Sequence, residues 1–279
     1  MLHIENLYPI IHRYDALILD LWGVVHDGTH LYDGVHDALV QLKKADKKVI
    51  FLSNAPRRDH KVIAVLDHLG VSKDLYLEVM SSGEMGYRWL KDGNASWGKK
   101  YFYIGPTKDE DILDGLDFTR ADELNDADFL LNVGFGSESQ DSENWLPVLS
   151  LAQAAGLPML CLNPDLEVVK QTGERFECAG VLAQMYEGLG GKVTWFGKPY
   201  PDVYVHCFEV LRPISKQRIL AIGDSLDTDI PGAQNAGIDS VLVTGGILKT
   251  LSDAEVISQC KTRGLTPTYI MPRMLFNIQ

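Results

Sequence analysis

Asp20 closes the apolar run Ala16-Leu17-Ile18-Leu19 and is followed by Leu21, Trp22 and Gly23. A strand-length apolar run that ends in a turn residue reads as a buried strand. An acid at the carboxyl end of a parallel strand stands where open α/β sheets hold their ligands. A second run, Ile219-Leu220-Ala221-Ile222, ends in Gly223-Asp224, and Asp229 lies five residues further on. A carboxylate can attack a phosphate monoester and carry the phosphoryl group as an acyl phosphate. Two anions repel, so that attack needs a cation between them. Mg²⁺ binds through one or two carboxylates together with substrate oxygen and water, which two strand-terminal acids can provide. Plainer explanations exist for each: Asp20 and Asp224 as turn residues, Asp229 as an acid favoured at a helix N-terminus.

Two further segments carry groups that suit an anion. Val49-Ile50-Phe51-Leu52 ends in Ser53-Asn54-Ala55-Pro56-Arg57. Proline suits the first turn of a helix, so Ser53 and Asn54 are expected at a helix N-terminus, where a hydroxyl and free amides bind phosphate or simply cap the helix. Phe196-Gly197-Lys198-Pro199 places one lysine in a tight turn. A fixed ammonium there stabilises charge developing on a transferring phosphoryl group. Taken alone, such a turn is an ordinary surface turn.

The order strand-Asp20, strand-Ser53, Lys198, strand-Asp224…Asp229 resembles the four motifs of the haloacid dehalogenase (HAD) superfamily of phosphoryl-transfer enzymes. The likeness is to class IIA, which holds the NagD-like and p-nitrophenylphosphatase-like sugar phosphatases, and it spans nearly the whole chain. The resemblance implies an α/β fold: a Rossmann-like parallel-sheet core from residues 1–80 and 181–279, with an inserted α/β cap of the C2 type over residues 81–180. It implies Asp20 as nucleophile, with Lys198 and Ser53 assisting, and phosphate bound by Ser53, Asn54 and Lys198. It implies Mg²⁺ held by Asp20, the backbone carbonyl of Trp22, Asp224 and Asp229, the last through the metal's waters or by orienting the lysine. Cap loops would face the site, with Asn163 and Asp165 as candidate substrate contacts, although Asn163-Pro164-Asp165 and Gly134-Phe135-Gly136 also read as ordinary turns. One position departs from the family pattern. A second Asp is expected two residues after the nucleophile, and Trp22 stands there. An indole N–H only donates and cannot act as a base near neutral pH. The expected activity is therefore Mg²⁺-dependent hydrolysis of a small phosphorylated metabolite, a sugar phosphate or nucleotide. The alternative is a weak or inactive relative that binds a phosphorylated ligand.

The elements that must position these groups alternate in the α/β manner. Helices are expected over residues 35–45 and 57–69, then strands at residues 100–104, 129–133 and 159–162 with a helix over 145–155 in the insertion. The core is expected to resume with a strand at residues 193–196, helices over 201–210 and 228–236, and a last strand at 240–243 before Thr244-Gly245-Gly246. Residues before Tyr14 read as a leader, His26, His30 and His36 as loop and surface residues, and Trp89, Trp97, Trp145 and Trp195 as packing.

A chain of 279 residues with 46% hydrophobic content can build one large or two ordinary domains. The net charge of −12 is spread along the chain and offers no basic patch for nucleic acid. Cys161, Cys178, Cys207 and Cys260 lack metal-binding spacing and are expected as reduced structural thiols. Neither a basic-then-apolar leader nor a membrane-length apolar run is present, so a cytoplasmic protein without membrane contact is expected. The family resemblance is compatible with a cap-mediated homodimer.

Overall fold

The computed structural model describes residues 1–136, 141–169 and 172–276. The first 81 residues supply β1 (Leu2–His3), β2 (Ala16–Leu19), β3 (Lys48–Ser53) and β4 (Glu78–Ser81), with α1 (Val35–Lys44) and α2 (Asp59–His68) between them. After α3 (Ser82–Lys91) come β5 (Lys100–Ile104), β6 (Thr119–Arg120), β7 (Phe129–Asn132), α4 (Leu146–Ala154) and β8 (Met159–Cys161). The hairpin of β9 (Glu167–Val169) and β10 (Arg175–Glu177), α5 (Ala179–Gly188) and β11 (Val193–Trp195) follow. The chain closes with α6 (Pro201–Val210), β12 (Ile219–Gly223), α7 (Asp229–Ala236), β13 (Asp239–Val243), α8 (Asp253–Thr262) and β14 (Tyr269–Met271).

Among the described residues a seven-stranded sheet runs in the order β1-β14-β13-β12-β2-β3-β4, and all its pairs are parallel. The strand order reverses at β2, which lies between β12 and β3, and the crevice at such a switch point is where this class of sheet binds ligands. Helices cover both faces, so the central strands read as unbroken apolar runs. Alternate residues serve opposite cores. Leu17, Leu19, Val49, Phe51 and Ile222 pack beneath α1 and α2, whereas Ala16, Ile18, Ile50, Leu52 and Ala221 meet Val203, Tyr204 and Ala233 of α6 and α7. Residues 2–3, expected in a leader, add an edge strand to this sheet by pairing with β14.

A second, parallel sheet runs β11-β8-β7-β5-β6. Trp89, Trp97, Phe129 and Phe196 form an aromatic cluster on one face. On the other, α5 buries Leu182, Ala183 and Tyr186. The strand at Val193–Trp195 belongs here and not to the first sheet, because Val193 pairs with Met159 and Trp195 with Cys161. The return crossing therefore falls at residues 196–198, not near residue 180. A three-residue strand directly before the lysine turn carries no sequence mark of which sheet it joins; α5, packed across β7, β8 and β11, decides it. The four cysteines are free and buried. Among the described residues no helix is long and apolar enough to cross a membrane.

Candidate active site

The switch point brings the acids together. The Asp20 amide donates to the Ile222 carbonyl at 2.9 Å, continuing the β2–β12 ladder one residue past the strand. Asp20, Asp224 and Asp229 are buried and offer carboxylate oxygens that lie within 4.8 Å of one another. Lys198, 3% exposed, donates through Nζ to Asp20 Oδ1 at 2.5 Å and to Asp229 Oδ1 at 2.7 Å. The other oxygen of Asp229 accepts from the Ser225 amide at 3.1 Å. Asp224 Oδ2 accepts from the Ile247 amide at 2.7 Å. Gly246 makes that approach possible, since a Cβ there would fall 1.9 Å from Asp224 Oδ2.

Three buried carboxylates face one ammonium. Burial pushes the Asp20 carboxyl up to about 7 even though Lys198 pulls it down. Burial, then the charges of Asp20 and Asp229, push Asp224 up well beyond the usual carboxylate range. Burial works against the Lys198 charge, but Asp20, Asp229 and Asp165 outweigh it and hold its pKa well above that of a free lysine. The cluster is short of positive charge and presents hard oxygen donors, which fits a divalent cation of the Mg²⁺ type.

Ser53 and Asn54 line the same cavity, but not at a helix N-terminus. The helix starts at Asp59, with Arg58 as a cap residue that makes no side-chain cap bond. Residues 54–57 stay irregular because other groups meet their carbonyls: the one proton of Ser82 Oγ is shared among the carbonyls of Leu162, Asn54 and Ala55, and Ser81 Oγ donates to that of Arg57. Ser53 Oγ accepts from the Ala55 amide at 3.2 Å. Asn54 is a hub. Its Oδ1 accepts from the Lys198 amide at 2.7 Å, and its Nδ2 donates to Asp165 Oδ1 at 2.8 Å.

Residues between α3 and β11 line the same cavity. A cavity of about 490 Å³ is lined by Asp20, Ser53 and Lys198 below and by Phe135, Asp165 and Phe176 above. Burial pushes the Asp165 carboxyl up to about 6, opposed by Lys198 and by the Asn54 hydrogen bond. Asn163 also lines the cavity, with its Oδ1 accepting from the Asp165 amide at 3.0 Å, so it shapes the turn that presents Asp165. The Trp22 indole spans the gap: Nε1 donates to the Val169 carbonyl in β9 at 3.0 Å. Its six-membered ring lies against Gly28, where a Cβ would fall 2.6 Å from the indole carbon Cζ3. His26, expected on the surface, is buried in the cavity wall, its Nδ1 accepting from the Gly28 amide at 2.8 Å. Burial drives its pKa down to about 4. Asp27 Oδ1 accepts from the Thr29 amide, the Thr29 hydroxyl and the His30 amide, which fixes it as a turn carboxylate.

Sequence reading missed the Trp22–Val169 and Asn54–Asp165 bonds, the part of Ser82 and the grip of residues 246–247 on Asp224. The glycine pair Gly245-Gly246, one residue past a parallel strand, was the available signal for the last; the others join residues distant in sequence and left none.

Two family models match the chain. That of the haloacid dehalogenase-like hydrolases covers residues 17–119, and a second, HAD-hydrolase-like, covers residues 195–273. An acid sugar phosphatase of Staphylococcus aureus is 22% identical over 258 residues, covering 92% of this chain and 94% of that protein. The crystal structure of a haloacid dehalogenase-like hydrolase from Brucella suis superposes with a TM-score of 0.86 at 28% identity, covering 98% of this chain and 100% of the other. That of a glycerol phosphate phosphatase from Mycobacterium tuberculosis in complex with magnesium gives 0.69 at 24%, covering 94% and 75%. On both matched segments and the shared architecture, the chain belongs to the haloacid dehalogenase-like hydrolases.

Proposed function

We propose that this protein is a Mg²⁺-dependent phosphatase of a small phosphorylated metabolite, a sugar phosphate or nucleotide, working through an aspartyl-phosphate on Asp20. The observation that carries the reading is the buried Asp20–Asp224–Asp229 cluster with Lys198 bonded into it at the switch point. Asp20, Asp224 and Asp229 would hold the metal, with the Trp22 carbonyl as a further ligand. Held there, it would supply charge neutralisation between the attacking carboxylate and the phosphate. The Asp20 carboxylate then forms a bond to phosphorus as the ester bond breaks, and water later releases phosphate from Asp20. Lys198 orients Asp20 and holds positive charge next to the phosphoryl oxygens. Ser53 and Asn54 bind those oxygens from the β3 end. We further propose that the segment from α3 to β11 acts as the cap, excluding water and choosing the substrate through Asp165 and its neighbours. The magnesium complex of the mycobacterial phosphatase and the sugar phosphatase among the relatives favour the metal and the substrate class.

The test is phosphate release from p-nitrophenyl phosphate with Mg²⁺ and with EDTA. Turnover is expected with Mg²⁺ only, and loss of turnover and of phosphoenzyme in Asp20→Asn. Turnover that persists in Asp20→Asn rejects the nucleophile. Trp22 favours a second reading, a relative that binds its phosphorylated ligand without turning it over; tight ligand binding with no phosphate release would select it.

A further inference from the structure

We propose that this site cleaves phosphate compounds whose leaving group departs as a stable anion: aryl, enol and acyl phosphates, and the phosphoanhydrides of nucleotides. The inference rests on the phosphatase reading above and narrows its substrate class. In-line attack by Asp20 places the leaving oxygen on the far side of phosphorus, towards the cavity and the inserted segment. The side chain two residues past Asp20 is an indole with one N–H, and that N–H is already given to the Val169 carbonyl at 3.0 Å. An indole has no proton to transfer near neutral pH.

The polar groups around it are engaged as well. His26 accepts from the Gly28 amide through Nδ1, which leaves its proton on Nε2 of a neutral ring, and a neutral imidazole N–H is no acid near neutral pH. Asp27 accepts three bonds within its own turn through Oδ1, and Lys198 is shared between Asp20 and Asp229. Asp165 is bonded to the Asn54 amide. The remaining wall on that side carries Phe135, Val168 and Phe176 together with acids that are engaged elsewhere: Asp109 accepts from Arg57, Glu167 from Arg175 and Glu177 from the Ser142 amide, and Lys108 is exposed at the rim. A leaving alkoxide would depart here with no uncommitted carboxylic acid beside it, whereas a phenolate, enolate, carboxylate or phosphate needs no proton.

The step balances without an acid. The Asp20 oxygen bonds to phosphorus, the bond from phosphorus to the leaving oxygen breaks, and its electron pair leaves with that oxygen. Water then attacks the aspartyl-phosphate; Asp20 is regenerated, phosphate leaves, and the water's surplus proton goes to the departed anion or to solvent.

The experiment measures kcat/KM with Mg²⁺ at pH 8 for substituted phenyl phosphates and alkyl phosphates spanning a wide range of leaving-group pKa. A steep fall with rising leaving-group pKa is expected in the wild type and in Trp22→Phe. Trp22→Asp introduces an acid and is expected to raise the turnover of alkyl phosphates relative to aryl phosphates by ~10²–10⁴-fold, the usual worth of general acid catalysis. A shallow dependence in the wild type overturns the proposal, and so does a flattening in Trp22→Phe. A steep dependence at pH 8 that becomes shallow below pH 6 shows that an acid of the cavity wall supplies the proton and also overturns it. If Trp22→Asp does not fold, the wild-type and Trp22→Phe slopes decide. No turnover of any member of the series with Mg²⁺ rejects the phosphatase reading itself, a result distinct from turnover with a shallow slope.

Discussion

Gly28 and Trp22 are mutually dependent, and a double-mutant cycle measures by how much. Gly28 has φ +94°, a conformation that costs a residue with a Cβ ~1–2 kcal/mol. Its Cβ would also meet the Trp22 ring at 2.6 Å, well inside van der Waals contact. Such overpacking costs ~1–3 kcal/mol. Gly28→Ala is therefore expected to destabilise by about 2–5 kcal/mol in total. The two parts separate when the ring is removed. In a Trp22→Ala background the backbone strain stays and the collision vanishes, so Gly28→Ala should cost only ~1–2 kcal/mol. The coupling energy is then about 1–3 kcal/mol, above the few tenths seen for independent sites. Urea unfolding of the four proteins in EDTA provides the free energies. Thermal unfolding should follow, at roughly 2–4 °C for each kcal/mol in a chain of this size class. Additivity within ~0.5 kcal/mol would show that the indole does not rest on Gly28 and that the wall of the cavity is built differently.

Lys198→Met leaves buried carboxylates without their cation, so it should cost ~3–5 kcal/mol by chemical denaturation in EDTA and remove phosphate release; a loss below ~1 kcal/mol would mean that the pair is solvated. Because burial takes the His26 pKa from 6.5 down to about 4, the unfolded chain binds the extra proton first: its contribution is complete above pH 6.5 and is lost towards pH 4, about 3 kcal/mol in all. His26→Asn, which keeps an acceptor for the Gly28 amide, should flatten that part of the stability–pH curve, and an unchanged curve would place the imidazole in water. Mg²⁺ at a hundredfold over its Kd should stabilise the wild type by ~2.7 kcal/mol in thermal or chemical unfolding, and Asp224→Asn should abolish most of that gain; an equal gain in the variant would put the ion elsewhere.

The parts of the site that were legible in the sequence are those fixed by strand ends. Asp20 and Asp224 each follow an unbroken apolar run, and parallel pairing of two such runs sets the acids side by side. Trp22 was visible as a departure from the motif the sequence resembles, but its partner is a backbone carbonyl 147 positions away in a three-residue strand. No local pattern encodes such a bond. Ser53 and Asn54 were legible as polar groups at a strand end and misleading as a helix start. The Pro56 signal was overridden by serines of the next strand and helix, which hold the carbonyls that a helix would use. His26 looked like a surface residue because its neighbours are turn formers, yet the loop folds back over the indole and takes the ring inside. Val193–Trp195 shows the same limit for the fold: strand character is local, whereas sheet membership depends on the helix that precedes it.

Asn54 also has a meaning for how the two crossings between the sheets are held. The chain leaves the first sheet at Ser82 and comes back at Lys198, and both crossings are fastened to this one residue: Ser82 Oγ on its carbonyl at 2.9 Å, the Lys198 amide on its side chain at 2.7 Å. Asn54 is thus a point that both crossings share, while the Trp22–Val169 bond and the Arg57–Asp109 and Arg58–Glu84 pairs tie the intervening segment to the first sheet elsewhere. The returning crossing also carries the lysine of the charge cluster, so any shift of that segment about Asn54 is felt directly at Asp20 and Asp229.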